Sequence, residues 1–67
     1  MKLWAAREAS GKTQAQVAKE ANINIQQYQS YEYGERRPRV DIAIRIAIAL
    51  NSTVEALFGA ATPTDQE

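Results

Sequence analysis

The sequence predicts an all-α domain, and three observations carry that expectation. Short segments of helix-forming residues follow one another, with cap residues at their starts and Gly, Asn or Pro at their ends. The two segments between Thr13 and Glu32 are separated by no more than a tight turn. The one segment that also reads as a strand, Val40 to Leu50, finds no partner strand elsewhere in the chain, and an unpaired strand edge is a liability.

Taken in order, Lys2 to Ala9 is rich in Ala, Leu, Glu and Arg and reads as a first helix, stopped by Ser10-Gly11-Lys12. Thr13 to Ala21 is the second. Thr13 is a good N-cap and Gln16 stands three residues later, the capping-box spacing, ahead of an apolar stripe of Val17, Ala18 and Ala21. Asn22-Ile23-Asn24 interrupts the stripe; Asn tolerates the left-handed conformation, so Asn22 stands where Gly is usual. Asn24 caps a third helix to Tyr33, with Gln27 at the capping-box position and Gly34 as its stop. That helix buries Tyr28 and Tyr31 and leaves Gln26, Gln27, Gln29 and Ser30 largely outside. A turn this short forces a steep crossing, as in a helix-turn-helix. Pro38 ends a turn from Gly34 and restricts Arg37 before it.

The segment VDIAIRIAIAL alternates large and small residues with period two. As a helix it puts Val40, Ala43, Ile46, Ala47 and Leu50 on one face and leaves Ile44 and Ile48 off it. Thr53 caps a short last helix to Phe58, closed by Gly59. The expected organisation is one domain over residues 1–59 and a flexible polar tail over residues 60–67.

Composition narrows the function. Sixty-seven residues lie near the lower limit for an unaided core. Without Cys or His there is no disulfide, no thiolate metal site and no imidazole base. No phosphate-cradling Gly-rich loop appears either, so neither an enzyme nor a cofactor is expected. Eight acidic and eight basic side chains cancel, yet Arg36, Arg37 and Arg39 cluster just after the third helix. No apolar run reaches membrane-spanning length and no signal-peptide pattern opens the chain, so a cytoplasmic domain without membrane contact is expected.

From Leu3 to Phe58 the chain resembles, without gaps, the phage-repressor and Cro-like (XRE) helix-turn-helix family. Arg7, Gly11, Thr13-Gln14, Val17-Ala18, Tyr31-Glu32, Gly34, Pro38, Ile46-Ala47, Ala49-Leu50 and Leu57-Phe58 carry the resemblance together. It implies a compact five-helix bundle that binds double-stranded operator DNA as a dimer, with the third helix in the major groove. It also implies that Gln14 touches a phosphate and braces that helix, that Ile25, Gln26 and Ser30 face base edges with Gln29 beside them, and that Arg7 pairs with Glu32.

Some positions depart from the family pattern. Ile25 replaces a common polar reader, which suits a thymine methyl and removes the expected Gln–Gln pair with Gln14. Asn22 replaces the turn Gly, Arg39 is a poor N-cap, and Ala6 stands where the family has a large core residue, a gap that Trp4 is positioned to fill.

Arg36, Arg37 and Arg39 read as phosphate contacts, while Tyr33 either covers the core edge or donates to a phosphate. Ile44 and Ile48, with Val54, Leu57 and Phe58, read as a homodimer interface. The expected function is sequence-specific DNA binding by a small transcriptional regulator, a repressor. The alternative is a protein-interaction module, such as an antitoxin holding a toxin, that keeps the fold with a weakened DNA-reading face. Zero net charge and Ile25 lean towards it.

Overall fold

A computed structural model describes residues 2–58, without the side chain of Lys2. Five helices follow in order: α1 (Lys2–Ser10), α2 (Gln14–Glu20), α3 (Ile25–Glu32), α4 (Val40–Ala49) and α5 (Val54–Phe58), with no strand among the described residues. The expected stop at Gly59 and the expected tail over residues 60–67 lie outside the described residues.

The turn chemistry explains the boundaries. The Thr13 hydroxyl accepts the backbone N–H of Gln16 at 3.1 Å while Gln16 Oε1 accepts the backbone N–H of Thr13 at 2.8 Å, completing the expected capping box. Asn24 caps α3 by accepting from Gln27 N–H at 2.7 Å. Here only half of the expected box forms, because the Gln27 amide donates instead to the Tyr31 hydroxyl one helical turn away, at 2.9 Å. Thr53 caps α5 through Ala56 N–H. Arg39 makes no side-chain cap for α4, and Asp41 in the first turn supplies the negative charge that a helix start favours.

Three helices end in the same way. The residue after each C-cap is left-handed: Asn22 (φ 62°), Gly34 (φ 77°) and Asn51 (φ 53°). In each case two backbone bonds close the end, as in Ile23 N–H to Ala18 O and Asn22 N–H to Lys19 O after α2. Asn22 therefore does stand in for Gly. Asn51, which the sequence reading passed over, does the same after α4 and commits Val40–Ala49 to a helix.

α2 packs against both α3 and α4, and α5 lies against α1 and α4. Between them Leu3, Val17, Tyr28, Ile46 and Leu57 are fully enclosed, each such side chain contributing about 1.5–3 kcal/mol by its removal from water. Tyr28 and Tyr31 are core residues, as expected.

Three expectations about packing are corrected. Leu57 is 2% exposed and belongs to the core, so it is not free to join a surface patch. Val40 is exposed, because it sits one turn before Ile44 on the outer side of α4, and Ala49 takes its place inside. Trp4 is exposed and does not fill the space at Ala6. Leu3 and Arg7, four apart, define the inward face of α1, and Trp4 falls a third of a turn away from it. A surface depression remains beside Ala6, lined by Ala9, Ser10, Lys12, Ala49, Leu50, Asn51 and Ser52.

Candidate nucleic-acid interface

One buried carboxylate holds α3 in place. Glu32, at the end of α3, accepts from Arg7 Nε at 2.5 Å, from the Tyr28 hydroxyl at 2.8 Å and from Gln14 Nε2 at 2.9 Å. Its side chain is 1% exposed and that of Arg7 11%. Arg7 also donates to the Lys12 carbonyl at 3.0 Å. Side chains from α1, α2 and α3 thus converge on one charge, and the sequence-level pairing of Arg7 with Glu32 is present.

The electrostatics follow from this geometry. Burial alone pushes the Glu32 carboxyl up, but donated hydrogen bonds from Arg7, Gln14 and Tyr28 and the Arg7 charge outweigh it, and its pKa is lowered. The hydrogen bond to Glu32 raises Arg7 against its own burial. Burial and the carboxylate together raise the Tyr28 hydroxyl well above its ordinary value.

Gln14 performs a second task. Its Oε1 accepts from Gln29 Nε2 at 3.0 Å. The sequence reading expected no Gln–Gln pair with Gln14, because Ile25 removed the usual partner; Gln29, one turn further along α3, supplies it instead. The remaining outer face of α3 divides by commitment. Ser30 donates to the Gln27 carbonyl at 2.6 Å and is half-buried. Ile25 and Gln26 are exposed, and the Gln26 side chain makes no hydrogen bond among the described residues. Asn24, Gln26, Gln27 and Ser30 line one depression together with Arg36. Arg36, Arg37 and Arg39 are exposed and enter no ion pair among the described residues. Tyr33 is 61% exposed, which removes the core-edge alternative for it.

Three contacts were absent from the sequence reading. Lys12 Nζ donates to Glu20 Oε1 and to the Ala49 carbonyl, both at 2.7 Å, and so ties the α1–α2 turn to α2 and α4. Arg45 donates to the Ala21 carbonyl at 3.3 Å and pairs with Asp41 at 3.2 Å. The Tyr28 hydroxyl was legible in principle, since Tyr28 and Glu32 stand four apart on a helix. No group of residues among those described could hold a metal ion, and no helix among them is long and apolar enough to cross a membrane.

Residues 5–57 match the family model described as Helix-turn-helix. The chain is also 42% identical over 62 residues to the cryptic phage CTXphi transcriptional repressor RstR of Vibrio cholerae serotype O1. That alignment covers 91% of this chain and 55% of the relative, so the chain spans little more than half of the relative's length.

Two expected outcomes concern the brace. Arg7→Ala strands a buried carboxylate and is expected to cost about 3–5 kcal/mol in urea denaturation; a loss of a few tenths would mean the two charges act independently. The raised Tyr28 pKa stabilises the fold fully below the ordinary phenol value of 10, and that contribution is lost as pH rises through the higher folded-state value. Tyr28→Phe is expected to flatten the alkaline fall of stability above about pH 10 and to cost roughly 1.5–3 kcal/mol at neutral pH. An unchanged alkaline limb in a series of melts at rising pH contradicts this assignment.

Proposed function

Because the chain belongs to this helix-turn-helix family, we propose that it is a sequence-specific double-stranded DNA-binding regulator of transcription. In this reading it acts as a repressor and a homodimer, with α3 in the major groove of operator DNA. The observation that carries the reading is the face of α3. Ile25 and Gln26 are exposed, Gln26 sharing a depression with Arg36, on a helix locked from behind by a buried carboxylate. Solvated decoration needs no such lock, whereas reading base edges does.

The roles follow from side-chain chemistry. Gln26 offers a free amide, which matches adenine in the major groove, and Ile25 offers methyl groups to a thymine methyl. Ser30 lies over the same groove as an acceptor, its proton being given to the Gln27 carbonyl. Arg36, Arg37, Arg39, Tyr33 and the N-terminal end of α2 at Gln14 contact phosphates, which position the protein and make affinity depend on salt. Zero net charge does not oppose this, because the arginines lie together beside α3 while acidic groups such as Glu20 and Glu32 are paired internally. The relative's printed role as a phage transcriptional repressor points the same way. Operator binding implies a cytoplasmic location and needs neither cofactor nor catalysis.

The dimer reading rests on α4. Val40, Ile44 and Ile48 stand four apart along its outer side, all exposed, Ile48 at 73%. Val54 and Phe58 of α5 are partly buried against the core. A second copy covering this stripe buries two or more isoleucines per subunit. The gain of about 1.5–3 kcal/mol each is largely consumed by the entropy of association, so a micromolar dimer is expected in the absence of DNA.

Three measurements test the reading. Gln26→Ala is expected to cost about 1–3 kcal/mol at one base position and to relax preference there, in binding to a panel of single-base operator variants. Equal loss on every variant removes Gln26 from the reading face. Arg36→Ala is expected to weaken binding to all sequences alike and to make the slope of log K against log salt shallower by about 0.9 per lost contact. An unchanged slope leaves Arg36 as a solvating charge, and no salt-dependent binding to duplex DNA by the wild type favours the protein-interaction alternative. Ile48→Lys is expected to keep the fold, weaken self-association in sedimentation and lower affinity for a palindromic site more than for a half-site. Wild type that stays monomeric at high micromolar concentration, free and on palindromic DNA, ends the dimer reading.

A further inference from the structure

The amide pair Gln14–Gln29 carries an inference that rests on the DNA-binding reading and deepens it. An ionised carboxylate accepts hydrogen bonds and donates none. Glu32 stays ionised in its cradle of donors, so the end of the Gln14 amide that faces it at 2.9 Å must be the nitrogen. The opposite orientation would set two oxygens against each other. That choice turns Gln14 Oε1 towards α3, where it must in turn meet a donor, and Gln29 Nε2 lies there at 3.0 Å.

The second amide is therefore oriented by the first. With its nitrogen held at Gln14, the carbonyl oxygen of Gln29 lies on the other side of the amide. No described group donates to that oxygen, and among the described residues no side-chain polar atom of a non-exposed residue is left buried without a partner. The Gln29 oxygen consequently reaches solvent, although Gln29 itself is half-buried.

We propose that Glu32 sets the polarity of the Gln14–Gln29 amide pair, so that Gln29 meets the major groove as a fixed acceptor selecting a base with an exocyclic amino group. The bases that qualify are adenine, through N6, and cytosine, through N4. Guanine O6 and thymine O4 are acceptors and meet the Gln29 oxygen unfavourably. An unbraced glutamine rotates its amide end for end and accepts either class. Gln14 is thus a positioning residue for selectivity, in addition to any contact it makes with a phosphate.

The experiment uses the full chain and duplexes selected by the wild type from a random pool, followed by every single base-pair replacement, read by fluorescence anisotropy. At one position of the half-site, adenine and cytosine are expected to bind about tenfold or more tightly than guanine and thymine on the same strand. Gln29→Ala is expected to abolish that ratio at that position alone. Gln14→Ala is expected to bring it within about twofold, as the freed Gln29 amide flips to suit either class, while ratios at the Gln26 position stay as they were. A purely structural or phosphate role for Gln14 lowers affinity for every duplex equally and leaves the ratio intact, and that result overturns the proposal. So does a Gln29→Ala variant with every ratio unchanged, or a keto preference in the wild type. Should Gln14→Ala fail to fold, the wild-type preference and its loss in Gln29→Ala decide. If the wild type selects no sequence at all, the regulator reading itself fails, a result distinct from selection without an amino preference.

Discussion

The charge of Glu32, buried at the end of α3, is the constraint on which the rest of the structure depends. A carboxylate without water must be supplied with donors, and here each neighbouring element sends one: Arg7 from α1, Gln14 from α2 and Tyr28 from α3 itself. α1 lies chiefly against α5, so Arg7 is its principal tie to α3. Removing a charge pair from water costs several kcal/mol per ion unless its hydrogen bonds are completed. The convergence of helices is the means of completing them. Total stability in a domain is about 5–15 kcal/mol, so stranding this one charge by removing a partner, at about 3–5 kcal/mol, takes a large share of it.

The same cluster connects stability to recognition. The side chains that satisfy Glu32 are not all hidden. Gln14 passes from the buried charge to Gln29 on the outer side of α3. Lys12, whose carbonyl accepts from Arg7, reaches with its own ammonium to Glu20 and to the last turn of α4. Helix α3 is therefore seated against a continuous polar framework that begins at α1 and ends at α4, and the apolar core around Tyr28 and Ile46 closes over it.

Much of this was legible in the sequence. Caps, left-handed stops and apolar spacing are local properties, so five helices and their order could be read from Thr13, Asn24, Gly34, Thr53 and their neighbours. The Arg7–Glu32 pair was legible only through family resemblance, because nothing local joins residues 25 apart. The misreadings share one cause. Val40 is assigned from helical position, Leu57 from nearness in sequence and Trp4 from the family pattern, whereas which side of a short helix faces inward is settled by its neighbours. Gln29 reads from sequence as a neighbour of the base-facing residues and Gln27 as an outer polar residue, since a sequence does not reveal that such an amide has found a partner on its own helix or another. The period-two pattern of Val40–Leu50 misleads because alternating Ile and Ala satisfy both templates, and the deciding residue, Asn51, lies beyond the pattern.

The uneven commitment of the residues along α3 has a consequence for how such a protein diverges. Ile25 and Gln26 make no side-chain hydrogen bonds within the described fold, so their replacement leaves the framework untouched and selection can redraw target preference there one substitution at a time. Positions 14 and 29 are different, because their amides bond each other. Loss of Gln14 frees the Gln29 amide to turn either way, while loss of Gln29 leaves Gln14 held by Glu32 with its oxygen short of a donor, so a new pairing is reached through two coordinated changes or through an intermediate of blurred selectivity. Lineages descended from such a domain should vary freely at the exposed positions and change the bonded pair jointly, giving a family whose targets drift at one edge of the footprint and jump at the other.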